Sequence, residues 1–214
     1  MKKHLIVALL LGVTALPLLQ GCVPVIAAGA TAGAMSAFDR RSLGTQTEDE
    51  TIEWKSSARL GENISDKAHI NVTSFNRKVL LTGEVPTADF KALAESVVLK
   101  VNNVQSVYNE LAVGPATSFS DRSNDSFITS KVKSRSVDSG KYNPVHVKVV
   151  TEAGVVFLLG MVTQPEADSA IGVARTTAGV KKVVNLLEII APAKARELDV
   201  TQSNNSKPAG TTNP

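Results

Sequence analysis

An internal repeat constrains this chain more than any other feature. Ile70-Asn71-Val72 alternates, a polar turn follows at Ser74-Phe75-Asn76-Arg77, and the chain resumes as Val79-Leu80-Leu81-Thr82-Gly83-Glu84-Val85. Val147-Lys148-Val149 begins a second copy, which turns at Glu152-Ala153-Gly154 and resumes as Val156-Phe157-Leu158-Leu159-Gly160-Met161-Val162. Val79, Leu81, Gly83 and Val85 stand 77 positions before Val156, Leu158, Gly160 and Val162. Val104, Val107, Asn109 and Leu111 stand 76 before Val180, Val183, Asn185 and Leu187. Self-similarity at one offset means that the same small unit folds twice.

Alternation around a short turn predicts a β-hairpin with one buried face in each copy. Gly83 and Gly160 sit where a missing Cβ permits a bulge or close backbone approach. Pro86 and Pro165 then mark helix starts. The apolar spacing predicts helices over about 88–100 and 166–176, with faces of Ala92, Leu93, Val97, Val98 and of Ala167, Ala170, Ile171, Ala174. Last strands follow over 104–113 and 180–190, and weaker helices precede each hairpin over about 51–60 and 126–137. Each unit reads helix–strand–strand–helix–strand in roughly 67 residues, small enough that the two copies are expected to support each other.

The N-terminus is an address and an anchor. Lys2 and Lys3 precede an apolar run from Leu5 to Leu16, and Leu19-Gln20-Gly21-Cys22 closes it. A basic start, a dozen apolar residues and a small residue before the break are the marks of a secretory signal, and the run is shorter than the roughly 20 residues of a membrane span. The ending resembles a bacterial lipobox. That resemblance implies cleavage before Cys22, with a diacylglycerol on its sulfur and an acyl chain such as palmitate on its amine. Several buried acyl chains hold a protein at a bilayer where one does not. By the same resemblance, Val23 after the cysteine favours the outer membrane, with the protein facing the periplasm. The domain plan is a signal peptide at 1–21, an acylated tether at 22–45, folded units at 46–114 and 124–192, a linker at 115–123, and a disordered tail at 193–214. Residues 201–214, rich in Ser, Asn, Thr and Pro, carry that last expectation.

Composition excludes several classes. A single cysteine rules out an internal disulfide framework, and three histidines leave little for a metal cage. Aromatics make up 4% of the chain, too few for base-stacking platforms. Without Lys2 and Lys3, the 23 basic residues become 21 against 20 acidic ones, so global charge points to no nucleic acid. No G-x-S-x-G, P-loop or H-E-x-x-H motif occurs, and the chain is read as not an enzyme. His69 and His146 occupy matching positions, but their repeat relation accounts for this, and no metal site is expected. Trp54 is expected in the core or between the copies. Ser56 and Ser136, at positions favouring apolar residues, suggest loosely held helices.

The element order and the spacing of residues 70–85 and 147–162 resemble the BON domain of bacterial envelope proteins. Asp39-Arg40-Arg41-Ser42-Leu43-Gly44-Thr45-Gln46-Thr47 and Ser123-Asn124-Asp125 narrow the resemblance to outer-membrane lipoproteins with two BON domains. It implies an α+β fold of two tandem sandwiches, each with two helices on a three-stranded mixed sheet. It also implies a non-enzymatic role in envelope integrity, binding of anionic phospholipids (phosphatidylglycerol or cardiolipin class), recruitment to division sites, and no cofactor beyond the lipid on Cys22.

Charge separates the two copies independently of any resemblance. From Glu48 to Lys67, six acidic residues face three basic ones; from Arg122 to Lys141, five basic residues face two acidic ones. A basic residue near an anionic bilayer contributes about 1 kcal/mol, so the second copy is drawn to such a surface. Registering Ile52 with Ile128 sets Phe127 opposite Thr51, an aromatic added to the repeat. Phe127, Lys131 and Arg135 recur at four-residue steps, with Ile128 and Val132 on the adjacent, core-facing stripe. By the resemblance, this helix start engages phospholipid. The expected lipid-binding set is Asn124, Asp125, Phe127, Ile128, Lys131, Lys133 and Arg135, where Asn124 and Asp125 serve more naturally as helix caps than as ligand contacts. The alternative is that Phe127 covers the edge of the core and the charges are solvated. At the level of function, the alternative is an adaptor for envelope-assembly or division proteins.

Overall fold

The computed structural model describes residues 39–64 and 68–205. The leader, Cys22 and most of the tether lie outside these residues. Helix α1 (Leu43–Asn63) opens with Ser42, whose hydroxyl accepts from the Thr45 amide at 3.1 Å. It turns Asp49, Ile52, Ser56 and Leu60 inward, a spacing of three and four that lays one stripe on the sheet. Strands β1 (His69–Phe75) and β2 (Lys78–Val85) form the expected hairpin. Helix α2 (Ala88–Leu99), capped by Thr87, crosses back and leads to β3 (Ser106–Asn109) and β4 (Ala112–Val113). Both run parallel to β2, as one edge strand interrupted at Glu110 and Leu111.

The second unit repeats the plan. Helix α3 (Phe119–Ser139) starts at a capping box, in which Ser118 Oγ accepts from the Asp121 amide and Asp121 accepts from Ser118. It ends at Gly140, whose φ of 58° is the left-handed turn that glycine supplies without strain. Strands β5 (Val147–Glu152) and β6 (Val155–Val162) pair antiparallel, helix α4 (Gln164–Arg175) follows, and β7 (Lys182–Ile189) runs parallel to β6. Each unit is therefore an α+β sandwich of two helices on a mixed sheet, as expected. Close backbone approach explains the repeated glycine: a Cβ on Gly83 would collide with the His69 carbonyl, and one on Gly160 with that of His146.

The hairpins are buried on both faces, where one was expected. Val79, Leu81 and Val85 join Ile52, Leu60, Ala94 and Val98 in one helix-side core; Val156, Leu158 and Val162 join Ile128, Val132, Ala167 and Ala170 in the other. The opposite faces meet between the two sheets, where Phe75 and Leu80 pack with Phe157 and Leu159, flanked by Tyr108, Val150, Met161, Val184 and Leu186. That is why β6 is apolar along its whole length, as a strand buried on both sides is, while β2 is buried from Val79 to Val85 and carries Thr82 and Glu84 within that stretch. Ion pairs rim the contact: Lys148 with Glu53 and Lys78 with Glu188, at 2.8 and 2.7 Å.

Several boundaries differ from the sequence expectation. The tether does not run free to residue 45, because Asp39 and Arg40 are buried and α1 begins at Leu43. Helix α3 takes in the second half of the expected linker. Residues 193–205, expected as disordered tail, form helix α5 (Pro192–Asn205). Its polar composition hid this helix, which is held by buried Ala195 and by polar links to the N-terminal segment: Asp199 to Arg40 at 2.8 Å and Gln202 Nε2 to the Arg41 carbonyl at 3.0 Å. Trp54 is 72% exposed and not in the core. Ser56 and Ser136 are both buried; Ser136 accepts from the Tyr142 hydroxyl at 2.6 Å and donates to the Val132 carbonyl, while the Ser56 hydroxyl has no hydrogen-bond partner among the described residues.

Candidate functional site

The inward stripe of α3 is Asp125, Ile128, Val132 and Ser136, each 76 positions after its counterpart Asp49, Ile52, Ser56 and Leu60 on α1. With that stripe committed to the sheet, Phe127 points away and is 62% exposed. The Lys131 ammonium lies over its ring, 4.6 Å from the centroid, and donates to the Ala178 carbonyl at 2.5 Å. Cation and ring thus hold each other near the surface. Arg135 donates to Thr177 Oγ1 at 2.8 Å, Thr176 Oγ1 at 3.0 Å and the Val173 carbonyl at 3.2 Å. No carboxylate forms an ion pair with Lys131 or Arg135 among the described residues, so their charge is oriented by neutral acceptors and not cancelled. Lys133 is also exposed.

Beside Arg135, an open groove of about 770 Å³ runs between α3 and α4. Lys141, Gly172 and Thr176 line it, with Asp138 on α3 and Asp168 on α4 setting an acidic point on each helix. Its size and polarity suit a hydrated headgroup better than an apolar ligand.

Three members of the sequence-derived set require correction. Ile128 is 1% exposed within the core and cannot meet a bilayer. Asp125 is neither a cap nor a ligand contact: it is buried in mid-helix, and its two carboxylate oxygens accept from the Ala153 and Gly154 amides, each at 2.8 Å. It fastens α3 to the β5–β6 turn. Asn124 is exposed and lies five residues inside the helix, so it is no cap either. Phe119, more exposed than Phe127, opens α3 within the span the sequence reads as linker, so it stands outside the expected set. The Ser118-x-x-Asp121 capping box was the signal that could have moved the helix start upstream.

Helix α1 uses the same frame differently. Asp49 accepts from the Asn76 and Arg77 amides and from Ser74 Oγ, at 2.6–2.8 Å, and from Arg41 at 2.8 Å. Glu53 accepts from Lys148 and from the Ser74 amide, and Glu48 from Asn103. Much of its acidity is spent inside the molecule. Trp54 stands on the exposed side, beside Glu50 and Glu53 in the sequence.

Elsewhere, Arg40 bridges Glu166 and Asp199, each at 2.8 Å, and donates to the Met161 carbonyl. Burial acts to raise the Glu166 carboxyl, but hydrogen bonds from Arg40 and Thr163 outweigh it and hold the group at about 2. This cluster secures the N-terminal segment to α4 and α5.

Two mixed sheets, each flanked by a helix pair and joined back to back, define a tandem α+β sandwich module with one cationic, aromatic-bearing helix face. The chain belongs to the BON-domain family, whose pattern matches residues 48–115 and 124–191. It is a protein with two BON domains, 42% identical to "Outer membrane lipoprotein DolP" of Haemophilus influenzae over 86% of this chain and 95% of that protein. It is also 36% identical to "21 kDa hemolysin" of Actinobacillus pleuropneumoniae (71% of this chain, 79% of that protein) and 31% identical to "Osmotically-inducible protein Y" of Escherichia coli (74% and 81%).

Proposed function

We propose that the chain is a non-enzymatic outer-membrane lipoprotein, anchored through acylated Cys22 and facing the periplasm, whose second BON domain binds anionic phospholipid and so supports envelope integrity, including at division sites. The likeness to a relative named as an outer-membrane lipoprotein supports the location, as does the lipobox. One observation carries the lipid reading: an exposed Phe127 ring under the Lys131 ammonium, with Arg135 alongside and, among the described residues, no carboxylate paired with either cation. An aromatic can enter the headgroup boundary while neighbouring cations meet phosphates. Among the named residues, Phe127, Lys131, Lys133 and Arg135 form the contact, while Asp125 and Ile128 shape the helix beneath it. The phosphatidylglycerol and cardiolipin class suits such a face through its charge.

The test uses the mature chain with Cys22→Ser, so that acylation does not drive binding. Co-sedimentation with phosphatidylglycerol vesicles, and not with phosphatidylcholine vesicles, is expected. Equal recovery with both overturns the reading. The adaptor for envelope-assembly or division proteins remains a second reading because of Trp54, whose exposure among acidic residues fits a protein partner better than an anionic bilayer. Capture of a protein bait by the wild type and not by Trp54→Ala, without vesicle binding, would favour it.

A further inference from the structure

The contact between the two sheets is apolar along most of its length and ionisable at one place. His69 and Glu84 are cross-strand partners on β1 and β2 of the first domain, and Glu152 ends β5 of the second. One donor atom from each comes together, all three within 4.8 Å of one another. Glu84 and Glu152 are only 5% and 8% exposed. Two carboxylates this close and this buried repel unless a proton or a cation lies between them.

The protein supplies only part of what they need. Glu84 Oε2 accepts from the Thr117 amide and hydroxyl at 3.0 and 3.3 Å, and Glu152 Oε2 accepts from Asn71 Nδ2 at 2.8 Å. The Oε1 atom of each accepts no hydrogen bond from a described residue. Asn71 Nδ2 also lies 3.3 Å from His69 Nε2, tying the ring to the same group. Arg122 borders the adjoining cavity of about 290 Å³, but it donates to the Thr117 carbonyl and forms no ion pair with either carboxylate. The cavity, lined also by His69 and Glu152, gives solvent a path to the group.

The repeat provides an internal comparison. At the 77-residue offset, the counterparts of His69, Glu84 and Glu152 are His146, Met161 and Phe75. Met161 and Phe75 belong to the apolar contact between the sheets. An apolar solution is therefore available to this fold, and at the repeat-related place Glu84 of the first domain and Glu152 of the second stand instead. Such a substitution is costly for packing alone and favourable for holding a cation.

We propose that His69, Glu84 and Glu152 form a divalent-cation site of the zinc type that bridges the two BON domains. One imidazole nitrogen and two carboxylate oxygens are a borderline donor set that suits Zn²⁺ better than Ca²⁺ or Mg²⁺, with a fourth position for water. Zinc ligands at ~2.0–2.2 Å stand about 3.3–3.6 Å apart, so rotation of the glutamate side chains by about an ångström closes the set. Because two ligands come from one domain and one from the other, occupancy ties the domains together.

The experiment is calorimetric titration of Zn²⁺ into the metal-stripped, full mature chain with Cys22→Ser, which removes the competing thiol. One equivalent per chain at micromolar or tighter affinity is expected, together with a rise in Tm that EDTA reverses. His69→Ala and the isosteric Glu152→Gln are each expected to weaken binding at least tenfold. Glu188→Gln, at another interdomain ion pair, is expected to leave it unchanged. Circular dichroism separates loss of ligand from loss of fold, and Glu84→Gln serves if either variant unfolds. Absence of saturable uptake up to about 100 μM Zn²⁺, or equal uptake by wild type, His69→Ala and Glu152→Gln, overturns the proposal.

Discussion

Helices α1 and α3 lie on equivalent sheets, turn equivalent positions inward, and do opposite things with their charge. On α1, Asp49 and Glu53 are engaged by the neighbouring hairpin, by Arg41 and by Lys148 of the other domain. On α3, Lys131 and Arg135 rest on carbonyls and hydroxyls and keep their charge for something outside. Net charge per helix is thus a poor guide to function until its internal partners are known. The acidic copy is acidic because it holds the molecule together; the basic copy is basic toward solvent.

The largest expected effect breaks this comparison at its buried end. Asp49→Ala strands two hairpin amides and the Ser74 hydroxyl and leaves Arg41 with Asp39 as its one carboxylate partner among the described residues, a loss of about 3 kcal/mol by buried hydrogen-bond magnitudes. Asp125→Ala strands two amides and no cation, and about 2 kcal/mol is expected. Urea denaturation of both variants checks the order, and equal losses would contradict the asymmetry.

Acid acts next. Glu166 is held at about 2 in the folded state against 4.5 for the free group. A depressed carboxyl stabilises the fold fully above its unfolded value. That contribution, about 2 kcal/mol once solvent screening of this partly exposed pair is allowed for, fades as pH falls from about 4.5 through 2. Arg40→Gln is expected to flatten this part of the stability–pH curve, measured by thermal melts between pH 2 and 6.

Smaller effects lie on the exposed faces. Phe127→Ala is expected to weaken binding to phosphatidylglycerol vesicles about tenfold without lowering Tm, since the ring is mostly in solvent. Phe127→Trp is expected to restore or strengthen it, because indole favours the bilayer interface. Raising salt from 0.05 to 0.5 M is expected to weaken wild-type binding further, as unpaired surface cations require.

Much of the architecture was legible in the sequence because its signals are local. Period-two runs marked β1 and β5, the apolar run beyond each turn marked β2 and β6, Pro86 and Pro165 marked α2 and α4, and the repeat offset linked the copies. What was hidden depends on distance. Asp49 and Asp125 look like ordinary polar helix residues, yet each meets amides about 27–29 residues away. Their shared offset of 76 with Ile52 and Ile128 was the available signal. Helix α5 has no apolar face of its own to announce it, because Arg40, some 160 residues upstream, supplies part of its support. Trp54 looked like core by residue type, but the inward stripe was already filled by Asp49, Ile52, Ser56 and Leu60. Phe127, Lys131 and Arg135 were legible because a four-residue step on a helix places them together without any tertiary information.

The most direct measurement sets the two helices side by side: affinity for phosphatidylglycerol vesicles of Lys131→Glu and of Trp54→Ala, each in the unacylated chain. Reversing the exposed cation on α3 is expected to cost tenfold or more, while truncating the exposed aromatic on α1 changes nothing. Equal affinity for Lys131→Glu and wild type, or a loss confined to Trp54→Ala, would contradict the account.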